Sequence, residues 1–155
     1  MQEKRLDTID TSAQHLLSVI NDVLDLSKIE AGKLTLEEAP LVVSSLLTNV
    51  ESILAERIKA KGIHLLIEIG QLPHPLLGDP TRLQQALLNY ATNAVKFTET
   101  GTVTLRAFVQ EETAESAMLR FEVQDTGIGI TPEAMPRLFT AFEQADHSMT
   151  RQYGG

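Results

Sequence analysis

The chain has 155 residues, of which 43% are hydrophobic and 22% charged, a composition typical of a globular protein that can bury a core. Its net charge of −8 argues against a nucleic-acid-binding surface, which requires clustered basic residues. The absence of cysteine excludes disulfides, thiolate catalysis and thiolate zinc sites, and no apolar run approaches the roughly 18 residues of a membrane span.

A long helix is predicted over residues 4–31, with Gly32 as its stop. Its apolar residues follow alternating spacings of three and four, which is a heptad seam. The seam consists of Leu6, Ile9, Ala13, Leu16, Ile20, Val23 and Ser27. Two interpretations remain open. The helix either lies on its own domain or forms half of a helical-bundle dimer, which the long regular heptad favours.

Strands and helices alternate along the rest of the chain. The predicted strands cover residues 33–37, 63–69, 102–110 and 117–124. The predicted helices cover residues 43–60 and 81–97, the latter with Asp79 as N-cap and Pro80 at its first position, and a short segment from Pro132 to near Phe139. The last two strands should form a hairpin. This order predicts an α+β fold, a two-layer α/β sandwich with a mixed sheet.

The helix over residues 81–97 carries a polar stripe. Its members lie at spacings that share one helical face: Arg82, Gln85, Asn89, Asn93 and Lys96. The opposite face is predicted to pack in the core: Leu83, Leu87, Ala91 and Ala94. A merely solvated face would favour Glu and Lys, whereas mid-helix asparagines cost stability, so we predict a functional role for the stripe. Amide oxygens can complete a Mg²⁺ shell otherwise made of phosphate and water, and a lysine can neutralise phosphate charge.

A glycine turn, Asp-Thr-Gly-Ile-Gly, occupies residues 125–129 directly after a predicted strand. An ionised Asp125 only accepts hydrogen bonds, which suits the exocyclic amine of adenine and rejects the carbonyl of guanine. Gly127 and Gly129 would let the backbone approach a planar base. The alternative is an ordinary Asp-x-Gly loop turn, which is common.

Taken together, these segments resemble the cytoplasmic kinase core of a two-component sensor histidine kinase. Asn89–Lys96 is similar to the asparagine box of that family, Asp125–Gly129 to its first glycine box, and Leu138–Phe142 to its phenylalanine box. Residues 21–32 resemble the end of its second dimerisation helix. The resemblance implies a Bergerat-type ATP-binding fold, with helices on one face of the mixed sheet and a long N-terminal helix before it. It divides the chain into a partial stem, 1–32, and an ATP-binding domain, 33–155.

The resemblance also implies a site for Mg²⁺ and ATP or ADP. Asn93 would hold Mg²⁺, Asn89 and Lys96 would face the phosphates, and Asp125 would bind adenine. The implied binding set is Asn89, Asn93, Lys96, Asp125, Gly127, Gly129, Ile130 and Phe142. The implied partners are a second copy, through the helical stem, and a response-regulator receiver domain, with no nucleic acid and no membrane contact by this chain.

Two parts of the family's kinase core are not found in this sequence. No histidine is followed by Glu or Asp, so the phosphorylated histidine is expected on an earlier helix, and His15 is predicted to be an exposed lone histidine. The ATP lid would begin at Gln144, and the second glycine box would continue beyond Gly155. The chain is therefore expected to be a fragment that is inactive in autophosphorylation.

Two other functions remain as alternatives. One is an ATP hydrolase on the same sandwich, as in gyrase, mismatch-repair and chaperone relatives. Those proteins place a glutamate one turn before the metal-binding asparagine to activate water, and Asn89 occupies that position here, which disfavours hydrolysis. The other is a non-catalytic nucleotide-binding or dimerisation module.

Overall fold

The computed structural model describes residues 2–138 and 140, and the chain divides into two units, Met1–Glu37 and Glu38–Gly155. The first unit is built on helix α1, Gln2–Glu30. None of its residues is buried, and seam residues such as Leu6 and Ile9 are each 64% exposed. The helix ends at Glu30, just before the predicted stop at Gly32, which has a φ of 66°. Within its own unit, α1 therefore leaves its apolar seam unburied.

The strand predicted at residues 33–37 is wrong. Residues 33–38 have no regular secondary structure, and the first strand is β1, Ala39–Pro40. It pairs antiparallel with β3, Leu77–Gly78. Alternation alone does not make a strand, because a strand also needs a partner for its backbone groups. Here the described partner lies opposite residues 39 and 40.

The main sheet has three strands in the order β2-β4-β5, where β2 is His64–Ile69, β4 is Thr102–Glu112 and β5 is Ala117–Asp125. Strands β2 and β4 are parallel, whereas β4 and β5 form the predicted antiparallel hairpin. The hairpin continues two residues beyond the predicted end of its first strand, with an irregular register near Val109. The mixed sheet of the predicted fold class is confirmed.

Two helices supply the second layer: α2, Val43–Lys61, and α3, Pro80–Phe97. One hydrophobic cluster joins them to the sheet, and its buried members include Leu46, Leu47, Val50 and Leu54 of α2, Leu87, Ala91, Ala94 and Val95 of α3, and Val103, Leu105 and Ala107 of β4. On the other side of β4, Arg106 bonds Glu68 and Gln124, and the adjacent Glu68 carboxylate raises the pKa of Arg106. The sheet thus has an apolar face under the helices and a polar face opposite.

The two helices end in different ways. Helix α2 ends at Gly62, in the left-handed conformation with a φ of 67°. Helix α3 begins as predicted, because the Asp79 carboxylate accepts a hydrogen bond of 3.0 Å from the backbone N–H of Arg82. It ends at Thr98, whose backbone is extended with a φ of −104°. The C-terminal carbonyls of α3 are therefore not closed by a left-handed glycine cap.

The short helix predicted from Pro132 to near Phe139 is only partly formed. A 3₁₀ helix spans Met135–Arg137, preceded by turns, and Phe139 lies outside the described residues. Pro136 explains the difference. An α-helix that began at Pro132 would form its first hydrogen bond from the N–H of Met135 to the carbonyl of Thr131, which is present at 3.2 Å, but the next bond would need the missing N–H of residue 136.

Candidate functional site

The polar stripe of α3 lies where the sequence predicted it. Asn89 and Asn93 are exposed, whereas Leu87, Ala91 and Ala94 on the opposite face are buried. Lys96, in the last turn, is half-buried. Its ammonium nitrogen lies 5.3 Å from the centroid of the Phe97 ring. The two amides are therefore accessible to a ligand, and the cation lies one turn closer to the helix end.

The glycine turn begins where β5 ends. Asp125, the last residue of β5, pairs with Val103 of the neighbouring strand, and its side chain is exposed. Its Oδ1 atom accepts a hydrogen bond of 2.8 Å from the backbone N–H of Gly127. This bond closes a local turn and orients the carboxylate. A carboxylate has about four acceptor positions, so this single bond leaves capacity to accept from an amine.

Gly127 brings the turn against the end of α3. A Cβ atom on this residue would overlap the carbonyl oxygen of Phe97, and it would lie 3.0 Å from the Oδ1 atom of Asp125. Only a residue without a Cβ allows the two backbones to approach this closely. The glycine turn and the last turn of α3 are therefore in direct contact, and this contact joins the two predicted motifs.

Thr126 fixes the same turn to the loop between α3 and β4. Its Oγ1 atom accepts a hydrogen bond of 3.1 Å from the backbone N–H of Thr102. A Cβ on Gly101, which has a φ of 114°, would overlap that hydroxyl oxygen. The loop thus needs glycine at 101 both for its backbone conformation and for space. As a result, the start of β4 holds the turn that follows β5.

Lys61, the last residue of α2, reaches the end of α3. Its ammonium donates hydrogen bonds to three backbone carbonyl oxygens, those of Val95 and Lys96 at 2.8 Å each and that of Thr98 at 3.2 Å. It also lies 3.7 Å from the carboxylate of Glu99, which is largely exposed. The last carbonyls of a helix have no hydrogen-bond donor within the helix, so a cation at this position supplies donors to them and complements the helix dipole.

Sequence reasoning did not identify Lys61 or Thr126 as parts of this site. The sequence gives Lys61 the ordinary role of a basic residue at the end of its own helix, and no local pattern indicates that its side chain crosses to another helix. Thr126 carries a weak signal, since a hydroxyl residue between Asp and Gly can bond nearby backbone groups. Both contacts depend on the tertiary arrangement.

The remaining predicted residues lie at the end of the glycine turn and beyond it. Gly129 has a φ of 73°, and Ile130 is 51% exposed, in a segment without regular structure. Phe142 and the predicted lid from Gln144 lie outside the described residues. No structural finding tests the binding roles assigned to the eight predicted residues, so these roles stay predictions.

The polar side chains of the predicted site fit a metal ion that is held mainly by the phosphates of a bound nucleotide and by water. Over residues 2–138 and 140, no group of three or more His, Cys, Asp or Glu side chains could hold a metal ion. Magnesium usually keeps water and phosphate oxygens and takes only one or two protein ligands. The exposed amide of Asn93 is compatible with such a site. In the same described part of the chain, no helix is long and apolar enough to cross a membrane.

Comparisons with known proteins agree with the sequence motifs. Residues 78–155 match the family described as histidine kinase-, DNA gyrase B-, and HSP90-like ATPase. The chain is 49% identical over 151 residues to sensor protein GacS of Pseudomonas syringae pv. syringae, an alignment that covers 97% of this chain and 17% of GacS. It is 45% identical over 157 residues to the signal transduction histidine-protein kinase BarA of Escherichia coli strain K12, which covers 99% of this chain and 17% of BarA. It therefore spans about a sixth of these relatives.

A solved structure supports the same assignment. The crystal structure of full-length ShkA in complex with AMPPNP superimposes with a TM-score of 0.73 at 41% identity. The match covers 85% of this chain and 28% of that protein. The fold and the sequence motifs therefore indicate the same family.

Proposed function

The chain belongs to the histidine kinase-, DNA gyrase B-, and HSP90-like ATPase family, and we propose that it binds Mg-ATP as the catalytic part of a sensor histidine kinase. In a two-component system this part would supply the γ-phosphate for a histidine outside this sequence. The contact between Gly127 and Phe97 is the observation that carries the proposal, because it joins the base-reading turn to the helix that would hold the phosphates. The AMPPNP complex of the similar protein ShkA supports the binding of an adenine nucleotide.

In the proposed site, each end of the nucleotide meets a different motif. Asp125 accepts a hydrogen bond from the exocyclic amine of adenine, while its bond to Gly127 keeps the carboxylate oriented. Asn93 offers an amide oxygen to Mg²⁺, and Asn89 and Lys96 face the phosphate chain. Bound Mg²⁺ would neutralise charge on the phosphate oxygens. Gly129, Ile130 and Phe142 complete the proposed binding set.

Phosphoryl transfer, rather than hydrolysis, is the proposed chemistry. A hydrolase on this fold needs a general base to activate water one turn before the metal-binding asparagine. Asn89 takes that position on the exposed face of α3, and an amide cannot accept the proton. The site therefore positions a nucleotide and neutralises its charge, and these two tasks are most of what a phosphotransferase contributes.

The proposed partners follow from the family and from α1. The unburied heptad seam of α1 supports dimerisation with a second copy through a helical stem. The receiver domain of a response regulator would take the phosphate, as the resemblance to two-component sensor histidine kinases implies. We place the domain in the cytoplasm, where ATP is supplied.

The proposal is tested by titrating the chain with a non-hydrolysable ATP analogue, with excess Mg²⁺ and then with excess chelator. Asn93→Ala should weaken binding by at least about tenfold with Mg²⁺, since it removes a polar contact to a charged group and such contacts are worth about 1.5–3 kcal/mol, and it should have little effect with chelator. Asn49→Ala, which removes an exposed asparagine from α2, is the matched control and should bind like the wild type. A wild-type chain that binds no adenine nucleotide, or an Asn93→Ala loss that is the same with chelator, contradicts the proposal.

A further inference from the structure

The side chain of Lys61 is not needed to close its own helix. At the end of α2, the backbone N–H of Gly62 donates to the carbonyl of Lys59 at 3.2 Å, and that of Ile63 donates to the carbonyl of Ile58 at 3.3 Å. These bonds and the left-handed Gly62 form a complete backbone cap. The ammonium of Lys61 is instead directed to the carbonyls of α3. The Lys61 side chain therefore stabilises the end of α3 and not the end of its own helix.

Helix α3 lacks the cap that α2 possesses. The backbone of Thr98 is extended and does not turn back over the last carbonyls. Lys61 takes the place of that cap with hydrogen bonds to three carbonyl oxygens, matching the three donors of an ammonium group. The lysine side chain is only 28% exposed, so water competes little for these bonds.

The bonded carbonyls lie on both sides of Phe97 in the chain. Lys61 holds Val95 and Lys96 before Phe97 and Thr98 after it. The carbonyl of Phe97 is the group against which Gly127 packs. The ammonium thus fixes the backbone on either side of the contact that joins the two nucleotide motifs.

We propose that Lys61 is a positioning residue for the nucleotide site. It sets the C-terminal end of α3, with Lys96 in the last turn and Asn93 one turn before it, at a fixed place relative to the turn that carries Asp125. This inference rests on the proposed function, because it assumes that one ligand spans both motifs. Lys61 does not touch the ligand itself. Replacing Lys61 shifts the phosphate-binding residues of α3 relative to the base-binding turn, so that one nucleotide fits both less well.

The consequence depends on which part of the site a ligand uses. Adenosine uses the turn with Asp125, whereas a magnesium-bound ATP analogue uses both the turn and α3. A displacement of the α3 end by a fraction of an ångström therefore weakens binding of the ATP analogue and leaves the affinity for adenosine nearly unchanged. Loss of a purely structural contact would lower the folded fraction and leave the affinity per folded molecule unchanged for both ligands.

The test compares Lys61→Met with wild type and with Lys59→Met, which removes an exposed lysine of the same helical turn. Lys61→Met should bind the magnesium-bound ATP analogue about tenfold more weakly and adenosine within about twofold of wild type, since small misplacements in a positioned site carry large costs. Lys59→Met should match wild type for both ligands. Titrations are corrected for the folded fraction measured by circular dichroism.

The other results contradict either the positioning role of Lys61 or the proposed function on which it rests. Equal losses for both ligands, or no loss for the ATP analogue, overturn the proposal. If Lys61→Met does not fold, Lys61→Arg carries the same test, because it keeps the charge but places its donors differently, and it should show a selective loss of about threefold for the ATP analogue. If wild type binds neither ligand, the proposed function fails and this inference fails with it. If wild type binds both and the variants bind equally well, only the inference fails.

Discussion

Gly127→Ala should disrupt the contact between the glycine turn and α3. The added methyl group would lie 3.0 Å from the carbonyl carbon of Phe97 and 3.0 Å from Oδ1 of Asp125, and it would overlap the carbonyl oxygen of Phe97. Ordinary contacts need about 3.5–4.0 Å, so the turn must move by about 1 Å. The backbone of Phe97 cannot yield easily, because Lys61 holds the carbonyls on both sides of it. Asp125 and its turn are therefore the parts that shift.

The size of the effect follows from the bond that orients Asp125. The added methyl group also crowds Oδ1 of Asp125 at 3.0 Å, so the carboxylate must move away from Gly127, and a shift of about 0.5 Å would lengthen its 2.8 Å hydrogen bond from the Gly127 N–H beyond the usual limit of about 3.2 Å. Hydrogen bonds to a charged group are worth about 1.5–3 kcal/mol. A misdirected Asp125 carboxylate should therefore lower the affinity for ADP by about ten- to a hundredfold. The overpacking itself should cost about 1–3 kcal/mol of folding stability.

Calorimetric titration with ADP and thermal unfolding measure the two effects separately. The control is Gly32→Ala, in the other unit, where a Cβ meets nothing within 4 Å but the φ of 66° disfavours a side chain. It should lose about 1 kcal/mol of stability and keep its affinity for ADP. A Gly127→Ala chain that binds ADP within twofold of wild type, with an unchanged melting temperature, would refute the reasoning from the contact with Phe97.

Two further predictions concern the turn and the chemistry. Thr126→Val should lower the melting temperature by a few degrees, because it leaves the N–H of Thr102 without its acceptor at a cost of about 1 kcal/mol, and an unchanged calorimetric transition would contradict this role. Incubated with labelled ATP and Mg²⁺, the chain should form no acid-labile phosphate, because none of its histidines has an acidic residue after it to activate it. Stoichiometric label that disappears in His15→Gln would overturn this expectation.

The elements with strong periodicity were predictable from the sequence. Helix α2, helix α3 with its Asp79 cap and the β4–β5 hairpin form where apolar spacing and local cap signals predict them. The polar stripe of α3 is also as predicted, since a helix of known phase fixes which residues share a face. These features depend on neighbours within a few residues, and such neighbours are visible in a sequence.

Features that depend on distant partners were not predictable. Strand β1 is set by Leu77–Gly78, so the alternation at residues 33–37 was misleading. The helix predicted after Pro132 is only partly formed, because Pro136 removes a donor that periodicity does not consider. The bonds from Lys61 to α3 span 34 to 37 residues of sequence. The two nucleotide motifs could be assigned to one site from the sequence, but the backbone contact of Gly127 with Phe97 depends on the tertiary fold.

The central claim is that Asp125 reads adenine at a site shared with α3. It is tested most directly by measuring the affinities of wild type and Asp125→Asn for ADP and GDP by calorimetry, with Asp7→Asn of α1 as the control. Wild type should prefer ADP to GDP, and Asp125→Asn should bind ADP at least about tenfold more weakly, because it loses a charged acceptor worth about 1.5–3 kcal/mol. Asp7→Asn should bind like wild type. Equal ADP affinities of wild type and Asp125→Asn would contradict the adenine assignment and with it the proposed site.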